Sequence, residues 1–167
     1  MSIWFFALAQ FAVLAFAVVG GVFLAFSDFI MRSLFQTGGV GGIEAMQIIN
    51  REVFRWIFMT LFLGLAPISI VIMGYSVVYI GGLAGALMAL AGLMYLVGCF
   101  GVTVVLNVPM NKALASMDLS DSTTKDYWTR SYVPRWTFWN TVRTAACVIS
   151  AALLLVGLLW TLQNQRV

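Results

Sequence analysis

The side chains able to do chemistry lie in four short segments of an otherwise apolar chain. They are Ser27-Asp28-Phe29-Ile30-Met31-Arg32, Met46-Gln47-Ile48-Ile49-Asn50, Asn107-Val108-Pro109-Met110-Asn111, and Trp136-Thr137-Phe138-Trp139-Asn140-Thr141-Val142-Arg143. On a helix, Trp136, Asn140 and Arg143 stand at i, i+4 and i+7 and so share one face. Asn107 closes a long apolar run, where an unpaired amide costs several kcal/mol. Ionisable and amide side chains inside a membrane mark functional sites by default. The set offers neutral hydrogen-bond groups, one or two arginines and aromatic walls. That chemistry suits a planar, apolar, phenolic or quinone-like molecule drawn from the membrane. Asn107, Asn140 and Arg143 are the candidates for holding a developing oxyanion. Trp136 and Trp139 are candidates for stacking on a ring, with Asn111, Gln47, Asn50 and Asp28 completing the pocket. The candidate general base is Asp28 or Glu44.

The same residues admit a structural reading. Asn107 and Asn111 can tie a helix end near Pro109, a residue that interrupts regular helix. Arg143 can snorkel to headgroups, and tryptophans commonly form interfacial belts. Asp28 and Arg32, four apart, can pair on a helix. Glu44, Gln47 and Arg51 share a helical face, with Met46 and Asn50 on a neighbouring one. Gln47 and Asn50 therefore point either to headgroups or into a bundle mouth.

The elements that must position these residues follow from composition. The 167 residues are 62% hydrophobic and 9% charged, with mean hydropathy +1.00. A soluble domain is about 45–50% apolar and about 25% charged. So short a chain cannot hide the excess from water, so it faces lipid. A soluble enzyme, a disordered tail and a nucleic-acid partner are excluded. The net charge of +3 is far from a dense basic patch. The chain has no histidine, which removes the commonest metal ligand and general base. Cys99 and Cys147 sit in apolar runs with no CxxC spacing and read as small hydrophobes, not as a disulfide.

Charge-free stretches predict an all-α integral membrane four-helix bundle, a single domain over residues 1–167 with spans near 3–26, 54–74, 79–107 and 142–162. No basic residue precedes the first run and it exceeds an h-region, which argues against a secretory signal. From Arg55 to Lys112 there is no intervening charge. As one helix that stretch would extend about 84 Å, so it folds back once. The turn falls at Gly74-Tyr75-Ser76 or at Gly81-Gly82. Pro67 is expected to kink the second span. The run Gly38-Gly39-Val40-Gly41-Gly42 reads as a flexible linker. The stripes Ala17-Gly21-Ala25 and Gly81-Gly85-Ala89 predict close helix packing, and the second could equally mediate self-association. The side with the long loops carries Arg32, Arg51, Arg55, Lys112, Lys125, Arg130, Arg135 and Arg143, against Arg166 on the other. By the positive-inside rule the loops are cytoplasmic and the termini outside, in the inner membrane.

The four segments, with Gly20–Leu34 (GGVFLAFSDFIMRSL) around the first, resemble in order and layout the anthrone oxygenase family. These are small four-span membrane proteins, some of which convert anthrones to anthraquinones without a bound cofactor. The resemblance implies no cofactor, membrane lipid as surroundings and a hydrophobic aromatic small molecule as substrate. Some members carry histidine, which this chain lacks. Against an oxygenase stand a non-catalytic scaffold, accessory subunit or lipid-binding module, alone or as a homo-oligomer, and a carrier or channel. The last has the least support, since no ring of charges lines a midplane path.

Overall fold

A computed structural model describes residues 1–55 and 57–164. Five helices follow in order: α1 Ile3–Gln36, α2 Gly41–Glu52, α3 Ile57–Ile80, α4 Gly82–Ala115 and α5 Ser122–Asn164. All but α2 are long and apolar enough to cross a membrane. They form an all-α four-helix bundle, with no strand among the described residues. α5 packs along both α1 and α4, and α3 closes the ring between those two. Trp56, within the expected second span, and Arg166, counted above, lie outside the described residues.

Three helices outrun the spans expected from composition. α5 has 43 residues, or about 65 Å at 1.5 Å per residue, twice a hydrocarbon core of about 30 Å. It starts at Ser122, twenty residues before the expected boundary, where Asp121 caps it by accepting from the Thr123 amide at 2.9 Å. α1 continues past Phe26 to Gln36, and α4 runs through Pro109 to Ala115. Proline does not end these helices. π-helical turns at Thr103–Asn107 and Trp128–Tyr132 precede Pro109 and Pro134. Each widened turn contains the carbonyl, of Val105 or Arg130, that the proline nitrogen cannot serve. α3 also continues through Pro67. The chain reverses at Gly81-Gly82, with φ of 66° and 55°, and Gly74 lies within α3. Positive φ is costly for a residue with a Cβ, so this turn requires glycine.

Two cores result. Along the spans, α1 turns Phe5, Ala9, Ala12, Phe16, Val19 and Phe23 inward at helical spacing. The stripe Ala17-Gly21-Ala25 is not the packing face. Gly21 has nothing within 4 Å of a notional Cβ, whereas at Gly20 that Cβ would lie 2.9 Å from the Cys147 Cβ. Gly85 packs within the chain, its notional Cβ 2.6 Å from the Ser76 carbonyl oxygen. At the loop end, α2 and the extensions of α1, α4 and α5 enclose a second core of Met31, Ile43, Met46, Leu114, Trp128 and Tyr132. The glycine run is only partly a linker: α2 begins at Gly41, and Gly42 abuts the Leu34 carbonyl too closely for any side chain. At the opposite end, the Tyr75 hydroxyl accepts from the Ser2 amide at 3.1 Å, and its ring stacks on Phe5.

Gly92 separates tight packing from open surface. A Cβ there would lie 2.7 Å from the Ser69 carbonyl oxygen, which is backbone and cannot swing aside. Gly92→Val is expected to destabilise the bundle by about 1–3 kcal/mol, and Gly21→Ala by under about 0.5 kcal/mol. Thermal unfolding of the detergent-solubilised protein checks both.

Candidate functional site

The two cores meet around Arg143. Its guanidinium is buried, with 5% of the residue exposed, and no carboxylate among the described residues pairs with it. Nη2 donates to Asn140 Oδ1 at 2.6 Å and Nη1 to Thr103 Oγ1 at 3.3 Å. Nε has no hydrogen-bond partner. The cation lies 4.2 Å from the Phe23 ring centroid and 5.3 Å from that of Trp136. A guanidinium keeps its charge at neutral pH, and two aromatic faces with two acceptors offset part of its lost hydration. It does not snorkel. The start of α5 at Ser122 puts Arg143 well inside a continuous helix, with apolar residues on both sides.

Asn140 ties α5 to α1 and holds Arg143 within α5. Its amide nitrogen donates to the Phe23 carbonyl and to Ser27 Oγ, each at 2.6 Å, while its oxygen receives Arg143. Phe23 stands just before the π-helical turn Phe26–Ile30 of α1, and Ser27 stands within it. Asp28 and Arg32 make no ion pair. Asp28 is exposed, and the ion pairs found among the described residues are Arg55–Glu52 and Arg130–Asp126.

Asn111 organises the mouth. Its Oδ1 accepts from the Tyr132 hydroxyl and from Trp136 Nε1, both at 2.8 Å. The Tyr132 hydroxyl in turn accepts from Asn50 Nδ2 at 3.4 Å. Asn107 is fully buried and donates to the Trp136 carbonyl at 3.3 Å, leaving its own oxygen unpartnered. Gln47 points away from the mouth and donates to the Leu114 and Met117 carbonyls at 2.8 and 3.3 Å, fastening α2 to the end of α4.

Beside these groups lies a cavity of about 400 Å³. Phe23, Phe26, Phe58, Phe62, Phe100 and Trp136 form its apolar walls, and Thr103, Asn111 and Arg143 its polar side. It exists because α3 packs on α4 as far as Gly101 and the two helices diverge beyond it. The half-exposed Leu63 and Val104 stand on either side of the gap. Of the residues singled out from sequence, Trp136, Asn50, Asn111 and Arg143 line this cavity. Asn107 and Asn140 stand behind its wall. Asp28, Glu44, Gln47 and Trp139 do not line it, and Trp139 packs edge-on to Phe138. Sequence reasoning missed Thr103, Tyr132 and the phenylalanine walls. Phe58 and Phe62 are one turn apart, which was a visible signal, whereas Thr103 had none. Cys99 and Cys147 prove to be neighbours, free and buried, with Sγ atoms 3.3 Å apart one turn from the site. Among the described residues no three His, Cys, Asp or Glu side chains group as a metal site requires.

The fold and site define a polytopic helical membrane protein with an aromatic cavity closed by a buried, carboxylate-free arginine. A family model described as anthrone oxygenase matches residues 51–153, well over half of the chain, and the protein belongs to that family. The match takes in the Asn107–Asn111 and Trp136–Arg143 segments. Comparison with curated proteins and with solved structures found no match.

Asn140→Ala removes the donor shared by Phe23 and Ser27 and the acceptor of Arg143. We expect a loss of about 1–3 kcal/mol in detergent unfolding. Trp139→Phe, outside both networks, is expected to change stability by under about 1 kcal/mol in the same measurement.

Proposed function

We propose that the protein is a membrane-embedded oxygenase that binds a planar, hydrophobic anthrone or phenol in the aromatic cavity and oxidises it with dioxygen, without a bound cofactor. The observation that carries this reading is Arg143: a buried cation with no carboxylate partner among the described residues and an unbonded Nε–H, on the wall of an apolar cavity. A lone charge kept in such surroundings is suited to an anion that forms during reaction.

In the proposed reaction the substrate's methylene carbon loses a proton, and the electron pair moves to the ring carbonyl oxygen. Arg143, oriented by Asn140 and Thr103, donates to that enolate oxygen. The phenylalanine walls and Trp136 hold the ring flat and exclude water, which strengthens the contact. Dioxygen is the oxidant: one of its atoms becomes the new carbonyl oxygen, and the other leaves as water with the two methylene hydrogens. No carboxylate lines the cavity, and Asp28 and Glu44 are exposed elsewhere, so the proton passes to water at the rim. The excess of Lys and Arg at the loop end supports a cytoplasmic mouth in the inner membrane.

A non-catalytic scaffold or lipid-binding module is the second reading. Asn140 favours it, because its bonds to α1 and Arg143 tie helices together with no ligand required.

Dioxygen uptake and anthraquinone absorbance with purified protein and an anthrone separate the two. The oxygenase reading expects turnover by the wild type and a fall in kcat/KM of about 100-fold or more in Arg143→Met. Equal rates in wild type, Arg143→Met and Asn140→Ala would remove these residues from the reaction. A scaffold expects no turnover in any of them, and lower thermal midpoints in both variants.

A further inference from the structure

Two more cations border the cavity, and the proposed reaction does not use them. Arg51, in the last turn of α2, and Lys112, on α4, both line it at its exposed edge. Neither makes an ion pair among the described residues, since Glu52 is engaged by Arg55 at 2.8 Å. All six acidic residues of the chain lie on the loop side of the spans, yet none lines the cavity. Arg51 and Lys112 directly follow Asn50 and Asn111, and the Tyr132 hydroxyl joins those two amides at 3.4 and 2.8 Å. That bridge fixes the backbone beneath both cations at one mouth, while Arg143 lies deeper and buried. The cavity therefore presents a positive inner point, an apolar middle and a positive rim. Low-dielectric walls focus such a field and favour anions.

We propose that the preferred substrate is an amphiphilic acid: a planar polycyclic phenol or ketone carrying a permanently ionised carboxylate. The apolar rings lie between the phenylalanine walls. Arg143 meets the oxygen that gains charge during reaction, and Arg51 with Lys112 holds the carboxylate at the rim. This rests on the cavity being the substrate site, as proposed above, and adds the class of molecule that enters it.

Binding tests this without turnover. Quenching of tryptophan fluorescence is titrated with anthraquinone-2-carboxylate and with neutral anthraquinone, using full-length protein in an uncharged detergent. Wild type is expected to prefer the acid by about tenfold, as two partly exposed charge contacts allow, and added salt should shrink the preference. In the double variant Arg51→Gln/Lys112→Gln the preference is expected to collapse to within about twofold. Both side chains are exposed, and an unchanged thermal midpoint checks the fold. Equal wild-type affinity for the two ligands overturns the proposal while leaving the cavity as a binding site. A preference that survives in the double variant also overturns it, because Arg143 would then be reading the carboxylate. Displacement of the acid by phosphatidylglycerol, dependent on Arg51 and Lys112, would make the rim a headgroup site and overturn it as well. If neither anthraquinone binds, the cavity reading fails and this proposal fails with it.

Discussion

The structure is arranged around one constraint, the burial of the Arg143 guanidinium in a bundle that faces lipid. Moving such a charge to the centre of a membrane helix costs several kcal/mol unless its surroundings answer it. Here the answer comes from neutral groups: the Asn140 amide oxygen, the Thr103 hydroxyl and the faces of Phe23 and Trp136. A carboxylate would have satisfied the cation more fully and removed its use. Neutral partners instead leave a fixed positive charge beside a cavity, which is the electrostatic condition for stabilising an anion.

Each partner is held in place by something further out. Asn140 can face Arg143 with its oxygen because its nitrogen is taken by the Phe23 carbonyl and Ser27. Trp136 presents its ring because Asn111 holds its indole N–H and Asn107 its carbonyl. Asn111 is held in turn by Tyr132, in the small core beyond the spans. That core gives α2 and the helix extensions their purpose. They form a cap that anchors the residues of the mouth, while the divergence of α3 from α4 leaves the space beside it. The π-helical turns allow these extensions, because they carry α4 and α5 through prolines that would otherwise have freed carbonyls in an apolar setting.

Much of the site could be read from residue type and spacing. Trp136, Asn140 and Arg143 share a face by helical arithmetic alone, and the structure keeps them together. Asn50 and Asn111 also reach the mouth. Asp28, Glu44 and Trp139 do not line it, because position along a helix does not by itself say which side faces inward. The stripe Ala17-Gly21-Ala25 failed for a related reason. Ala17-Gly21-Ala25 and the Gly20 register differ by one position, about 100° of rotation, and both are apolar enough to suit lipid or protein. In water, polarity would have separated the two faces. In a membrane it does not.

Composition and local pattern thus determined that this chain is a bundle of four membrane-crossing helices with its polar residues at one end. Those features depend only on the cost of exposing backbone and charge to hydrocarbon, a property of each segment by itself. Tertiary structure decided which face of each helix turns inward, that Arg143 is enclosed, and that a cavity opens where α3 and α4 part. Those outcomes depend on contacts between residues far apart in the chain, such as Asn140 with Phe23 and Gln47 with Leu114, and no local spacing encodes them.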